Sequence, residues 1–129
     1  MQAEGVLRTV ILEDAAVVAL IGNRFFEELP QQPTFPTCTY SRVSRREPDE
    51  IPFPTVRLQV LCWATTRAGA RAVATAIRNA VRQQGAGWKG VRHGTTVKYM
   101  RPENDLDIKD PTTGRHIALL DFKVTYREG

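Results

Sequence analysis

Hydrophobic positions along this chain repeat with two periods, one helical and one extended, and the changeovers divide it into elements. Val6, Leu7, Val10 and Ile11 keep the i, i+1, i+4, i+5 spacing of one helical face and predict a helix over 3–13. Asp14 then reads as the N-cap of a second short helix, AAVVALIG, which Gly22 or Asn23 can end in a left-handed conformation. The stretch NRFFEELPQQPTFP holds three prolines, too many for a central strand, and predicts an irregular connector that tucks Phe25, Phe26 and Leu29 against the core.

Strand-like alternation begins with TCTYSRVSR, 37–45, rich in β-branched and aromatic residues. The run REPDEIPFP, with three prolines and three acids, predicts an exposed loop. In TVRLQVLCW, 55–63, Val56, Leu58, Val60 and Cys62 share one face, while Thr55, Arg57 and Gln59 share the other until Leu61 and Trp63 close it. Thr65 or Thr66 caps a predicted helix running to about residue 83, with Gly85 as its stop. Ala70, Val73, Ala74, Ile77, Ala80 and Val81 fall within about 120° on that helix and form a stripe of mostly small side chains that permits close approach to a sheet. The glycines of GAGWKG read as a flexible loop, since neither GK[ST] nor GxGxxG is present.

TTVKYMRP and RHIALLDFKVTYR predict two further strands. In the second, His116, Ala118, Leu120, Phe122, Val124 and Tyr126 alternate with Ile117, Leu119, Asp121, Lys123 and Thr125. Between them NDLDIKDPTTG ends in Asp-Pro-x-x-Gly, a type I turn signal, so the pair predicts a long hairpin. The expected fold class is α+β: an antiparallel four-stranded sheet with a long helix packed on one face and an N-terminal helix, in the order α-α-β-β-α-β-β, as a single domain over 1–129.

Composition narrows the function classes. The chain has 129 residues, 42% hydrophobic and 25% charged, which fits one ordinary globular core. No apolar run approaches the roughly 20 residues of a bilayer span, and Glu4, Glu13 and Asp14 stand where a signal peptide has a basic flank, so a soluble, unexported protein is expected. Cys38 and Cys62 lack CxxC spacing and read as buried reduced thiols in a reducing compartment. The net charge of +4 is uneven: residues 1–64 hold 6 Lys/Arg against 8 Asp/Glu, and residues 65–129 hold 12 against 6.

Catalytic chemistry finds little support. His93 and His116 are the only histidines, neither beside a nucleophile motif. Glu103, Asp105, Asp107 and Asp110 alternate as hard-cation ligands could, yet the glycine and terminal glutamate of a calcium loop are missing, and a solvated hairpin arm is the plainer reading. No enzyme, cofactor or metal site is expected.

The arginines of the long helix stand out. With Arg67 as zero, Arg71, Arg78 and Arg82 lie at about 40°, 20° and 60°, one narrow face beside the apolar stripe. Such a row can track phosphates, which makes a small basic nucleic-acid-binding domain one reading. It equally serves as a solvated flank or a protein interface. Residues 64–87 carry no aromatic to stack on bases, which favours the protein reading.

The run VRLQVLCWATTRAGARAVATAIRNAV, 56–81, and the closing LLDFKVTYRE, 119–128, resemble the tail-completion or tail-terminator family of tailed bacteriophages. The residues that carry the resemblance are Arg57, Gln59, Val60, Cys62, Trp63 and Ala64, then Leu120, Asp121, Phe122, Val124, Tyr126, Arg127 and Glu128. The loop REPDEIPFP and the glycine-rich 83–94 depart from the family pattern. The resemblance implies a structural protein of the virion, in the tail or neck, assembled in the host cytoplasm. It implies a homo-oligomeric ring, usually of six subunits, that caps the head-proximal end of the tail tube, stops its growth and presents the head-tail joining surface. Its partners would be itself, the tail tube protein and a head-tail connector, with DNA passing through the lumen without tight binding and no membrane contact. A closed ring needs two different complementary surfaces. Arg67, Arg71, Arg78 and Arg82 on one subunit, and Glu103, Asp105, Asp107 and Asp110 on the next, are the expected pair, with the tube below as the alternative neighbour of the arginines.

Overall fold

A computed structural model describes residues 3–46, 55–82 and 88–127. Three helices cover one face of a six-stranded sheet. The chain runs α1 (Ala3–Leu12), α2 (Ala15–Ile21), β1 (Phe25–Phe26), β2 (Thr37–Arg46), β3 (Thr55–Ala64), α3 (Arg67–Val81), β4 (Trp88–Arg92), β5 (Thr95–Lys109) and β6 (His116–Arg127). The strands lie in the order β1-β2-β3-β6-β5-β4, with β1 parallel to β2 and every other pair antiparallel.

The sheet is mixed and curled, which corrects the expected antiparallel four-stranded sheet. Two strands had no legible signal. β1 is two residues long and pairs Phe25 with Cys38 and Phe26 with Thr39 inside the proline-rich connector. β4 starts within the stretch read as a flexible glycine loop; Trp88 is buried there, and the strand shifts register between Trp88 and Gly90. Gly90 has φ of +155°, and a Cβ on it would come within 3.0 Å of the Trp88 indole, so the missing side chain makes room for the ring. The turn from β4 to β5 places His93 (φ 53°) and Gly94 (φ 79°) at its centre, the two positive values that a tight type I′ hairpin requires. α1 reaches strands near both ends of the curled sheet. Arg42 of β2 holds Glu4 at 2.7 Å, Arg92 of β4 holds Glu13 at 2.9 Å, and Thr9 meets His93 at 2.9 Å.

The remaining elements follow their periodicities. α1 buries Val6, Leu7, Val10 and Ile11. Asp14 caps α2 by accepting from the Ala16 and Val17 amides, and Gly22 ends it at φ +60°. Thr66 caps α3 by accepting from the Gly69 amide, and the stripe Ala70, Val73, Ala74, Ile77, Ala80 and Val81 is buried against β3 and β6. The expected loop over 46–54 and the stop at Gly85 lie, beyond Arg46, outside the described residues. Val56, Leu58, Val60 and Cys62 of β3 and Ala118, Leu120, Phe122, Val124 and Tyr126 of β6 supply most of the sheet's share of the core, joined by Phe25, Cys38, Trp88, Val97 and Met100. β3 and β6 are in continuous register from Thr55↔Thr125 to Ala64↔His116.

Candidate functional site

The strongest concentration of charge lies where α3 crosses the outer half of β5. β5 runs on past Met100 to Lys109, paired with β6 on both sides of an irregularity between Pro102 and Asn104, and Asp105 and Asp107 stand opposite Leu120 and Ala118. Those two β6 residues belong to the core, so both carboxylates sit on the helix side of the sheet. α3 meets them with three arginines. Arg71 Nη1 donates to Asp105 Oδ1 and Oδ2 at 2.7 and 2.8 Å, and its Nη2 donates to Asp107 Oδ1. Arg78 Nη1 donates to Asp105 Oδ2 at 3.2 Å, and Arg67 Nη2 to Asp107 Oδ2 at 3.2 Å. Each aspartate is thus shared by two arginines, and Arg71 joins the halves.

The electrostatics follow. Burial would lower the Arg71 pKa, but hydrogen bonds to Asp105 and Asp107 outweigh it and hold the guanidinium above its ordinary value. The Asp107 carboxyl is held below the usual range, first by its hydrogen bond from Arg71 and then by that from Arg67. Arg71 Nε is buried without a partner. Three guanidinium groups and two carboxylates form a lattice that fixes the β5–β6 arm to α3.

The sequence placed Arg67, Arg71 and Arg78 on one chain and Asp105 and Asp107 on the next; the structure brings all five together within one chain. Arg82 is exposed at the C-cap of α3 and has no ion pair among the described residues. Glu103 sits at the irregularity in β5 and bridges Arg101 at 3.1 Å and Arg57 at 3.6 Å. Asp110 is a turn residue: it accepts from the Thr112 amide and the Thr113 hydroxyl, which hold its carboxyl low.

The two histidines sit in different surroundings. The Thr9 hydroxyl donates to the Gly5 carbonyl at 2.9 Å and lies 2.9 Å from His93 Nε2. His116 ends β6 half-buried opposite Ala64 and Lys109. Cys38 and Cys62 are buried Cα partners across β2 and β3; the Cys38 hydrogen bond, followed by burial, pushes the Cys62 thiol well up. Among the described residues no three His, Cys, Asp or Glu side chains are placed to hold a metal ion. A cleft of about 690 Å³ between α1 and the two ends of the sheet is lined by Glu4, Arg8, Glu13, Glu27, Tyr40 and His93, but Arg42 and Arg92 already engage two of its carboxylates.

Sequence reasoning missed the residues on the other face of the same strand. Leu106 and Ile108 alternate with the aspartates and point to the helix-free side, 56% and 41% exposed. The period-two pattern of DLDIK carried that signal, hidden because acids were expected to face water.

Among solved structures, a chain from "Virion of native gene transfer agent (GTA) particle" shares this fold with a TM-score of 0.71 at 14% identity, over 93% of this chain and 90% of that one. No curated protein matches the sequence. A family model described as Tail completion protein gp17 matches residues 5–127, and the chain belongs to that family, among the structural proteins of the bacteriophage virion in its tail.

Proposed function

We propose that the chain is a ring subunit that closes the head-proximal end of the phage tail tube, stops tube growth and offers the surface on which the head is joined. Its partners are further copies of itself, the tail tube protein and a head-tail connector, with DNA crossing the lumen without being gripped, and it performs no catalysis. The observation that carries this reading is the Arg67–Arg71–Arg78 lattice with Asp105 and Asp107. Groups suited to phosphate are engaged inside the chain, where they brace a long hairpin arm as a scaffold protein needs. That use disfavours the nucleic-acid reading of the same helix face, which would leave the guanidinium groups open to a backbone.

In this proposal the lattice sets the shape of the hairpin arm from inside the subunit, and Arg82, Glu103 and Asp110 stand at the rim of the subunit contact. Electron microscopy and light scattering of the purified protein test it: closed rings of about six copies are expected. Duplex DNA titrated at rising salt is expected to bind weakly with a nearly flat salt slope. A protein that is monomeric at every concentration, or DNA affinity that falls steeply with salt, overturns the reading.

A further inference from the structure

The helix-free face of the sheet is ordered in rows. β3, β6 and β5 are neighbours in register, so Leu61, Leu119 and Leu106 form one row across three strands, and Trp63, Ile117 and Ile108 the next. No helix lies over this block, because α3 packs on the opposite face against β3, β5 and β6, with α1 and α2 joining it in the core; Leu106 and Ile108 are its exposed members, Leu61, Trp63 and Leu119 are half-buried and Ile117 is buried. Toward the other end of the same face, Arg57, Lys123 and Arg101 form a row of three cations, with Glu103 shared by the two arginines. Between the two lies the row Gln59, Asp121 and Asn104, so on three strands at once the outward positions pass from charged through polar to apolar at matching levels.

Water is a poor neighbour for such a block. In a half-solvated sheet, polar residues face out and apolar ones face in. In β5 the order is reversed, with Asp105 and Asp107 turned toward α3 and Leu106 and Ile108 toward solvent. A one-residue slip would put the leucine and isoleucine on the helix side and break the arginine lattice. The chain therefore holds its apolar face outward by a specific device, which makes sense only if something covers that face.

The same chain carries a fitting cover on its other side. α2 lies in the helix layer and exposes Val18 (42%) and Leu20 (36%). The segment 13–28 around it holds Glu13, Asp14, Glu27 and Glu28 against Arg24 in sequence; Glu13 is held by Arg92 and Asp14 caps α2, so Glu27 and Glu28 carry the open negative charge. Apolar side chains flanked by acids are complementary to an apolar block flanked by cations, and the two surfaces lie on opposite layers of one molecule. That is the arrangement a head-to-tail contact requires.

We infer that the outer sheet face of one copy seats α2 of the next, with Val18 and Leu20 against the Leu61–Leu119–Leu106 and Trp63–Ile117–Ile108 rows and the acidic flank toward Arg57, Lys123 and Arg101. This rests on the ring reading and assigns its two surfaces.

The test uses full-length protein. Leu106→Lys and Val18→Lys are both at exposed positions, and Val91→Lys, at a 54% exposed site on the β4 edge, is the control. By light scattering, Leu106→Lys and Val18→Lys should each weaken self-association at least about tenfold, with circular dichroism unchanged, while Val91→Lys still forms rings. As a second readout, Leu106→Cys chains mixed with Val18→Cys chains should give a disulfide-linked pair on mild oxidation, which either variant alone does not give. Rings that persist in both lysine variants, with no cross-link in the mixture, overturn this inference and leave the ring reading standing. Intact rings that fail only to join a tail tube also overturn it, assigning the face to the tube. A wild-type chain that never associates overturns both.

Discussion

Arg71 Nη1 lies 2.7 and 2.8 Å from the two carboxylate oxygens of Asp105, a contact between residues 34 apart in sequence that ties α3 to the far half of β5. With its second nitrogen on Asp107, one planar guanidinium spans two positions of a strand, which an ammonium cannot do. Arg71→Ala is expected to cost about 1–2 kcal/mol, toward the upper range of a partly exposed ion-pair network because it strands two carboxylates. Arg71→Lys should recover only part of that. Guanidinium unfolding followed by Trp63 and Trp88 fluorescence measures both, and an unchanged midpoint for Arg71→Ala would show that the arm stands without the lattice.

Asp107 gives the lattice a pH dependence of defined sign. Its folded-state pKa is lowered by Arg71 and then Arg67, so its contribution is present above the unfolded value of about 4 and is lost as pH falls through the folded value. Urea unfolding from pH 6 down to pH 2.5 should show wild type more stable than Asp107→Asn at the upper end, with the gap closing below about pH 4. A gap that stays constant across that range would mean that the carboxylate charge contributes nothing.

How far the sequence reaches is visible residue by residue. The alternation of Val56, Leu58, Val60 and Cys62 marks β3 because burial on one face writes itself into every second position. The spacing of Ala70, Val73, Ala74 and Ile77 marks α3 for the same reason at helical period. Phe25–Phe26 is too short to show any period and owes its strand character to β2 alone. Trp88–Arg92 is masked by Gly90, whose use becomes evident only with the indole lying over it. The candidate site was half legible: the arginine face and the aspartates were both readable, but their meeting in one chain depends on α3 crossing β5, a tertiary fact. Without that meeting Asp105 and Asp107 look like solvent-facing acids, and Leu106 and Ile108 have no reason to face outward.

Cys38 and Cys62 face each other across β2 and β3, both fully buried, and their mutual hydrogen bond adds to burial in keeping the Cys62 thiol protonated. A thiol attacks a disulfide reagent only as thiolate and only when reached. At pH 8 the native protein should therefore react with an aromatic disulfide reagent at least about a hundredfold more slowly than a free thiol, and both cysteines should titrate at once in denaturant. Fast labelling of either cysteine in the native state would mean that the β2–β3 pair opens readily.

Gly90 and Gly94 separate two costs that are usually mixed. Both have positive φ, but a Cβ at Gly94 meets nothing within 4 Å, whereas one at Gly90 meets the Trp88 indole at 3.0 Å. Gly94→Ala should cost about 1 kcal/mol, the backbone strain of an alanine in a left-handed turn, and leave tryptophan fluorescence unchanged. Gly90→Ala carries backbone strain as well and must also displace a buried ring, so a loss of about 2–3 kcal/mol is expected together with a red-shifted emission as Trp88 gains water. Equal losses at the two positions, with identical emission, would show that the indole does not depend on the space Gly90 leaves.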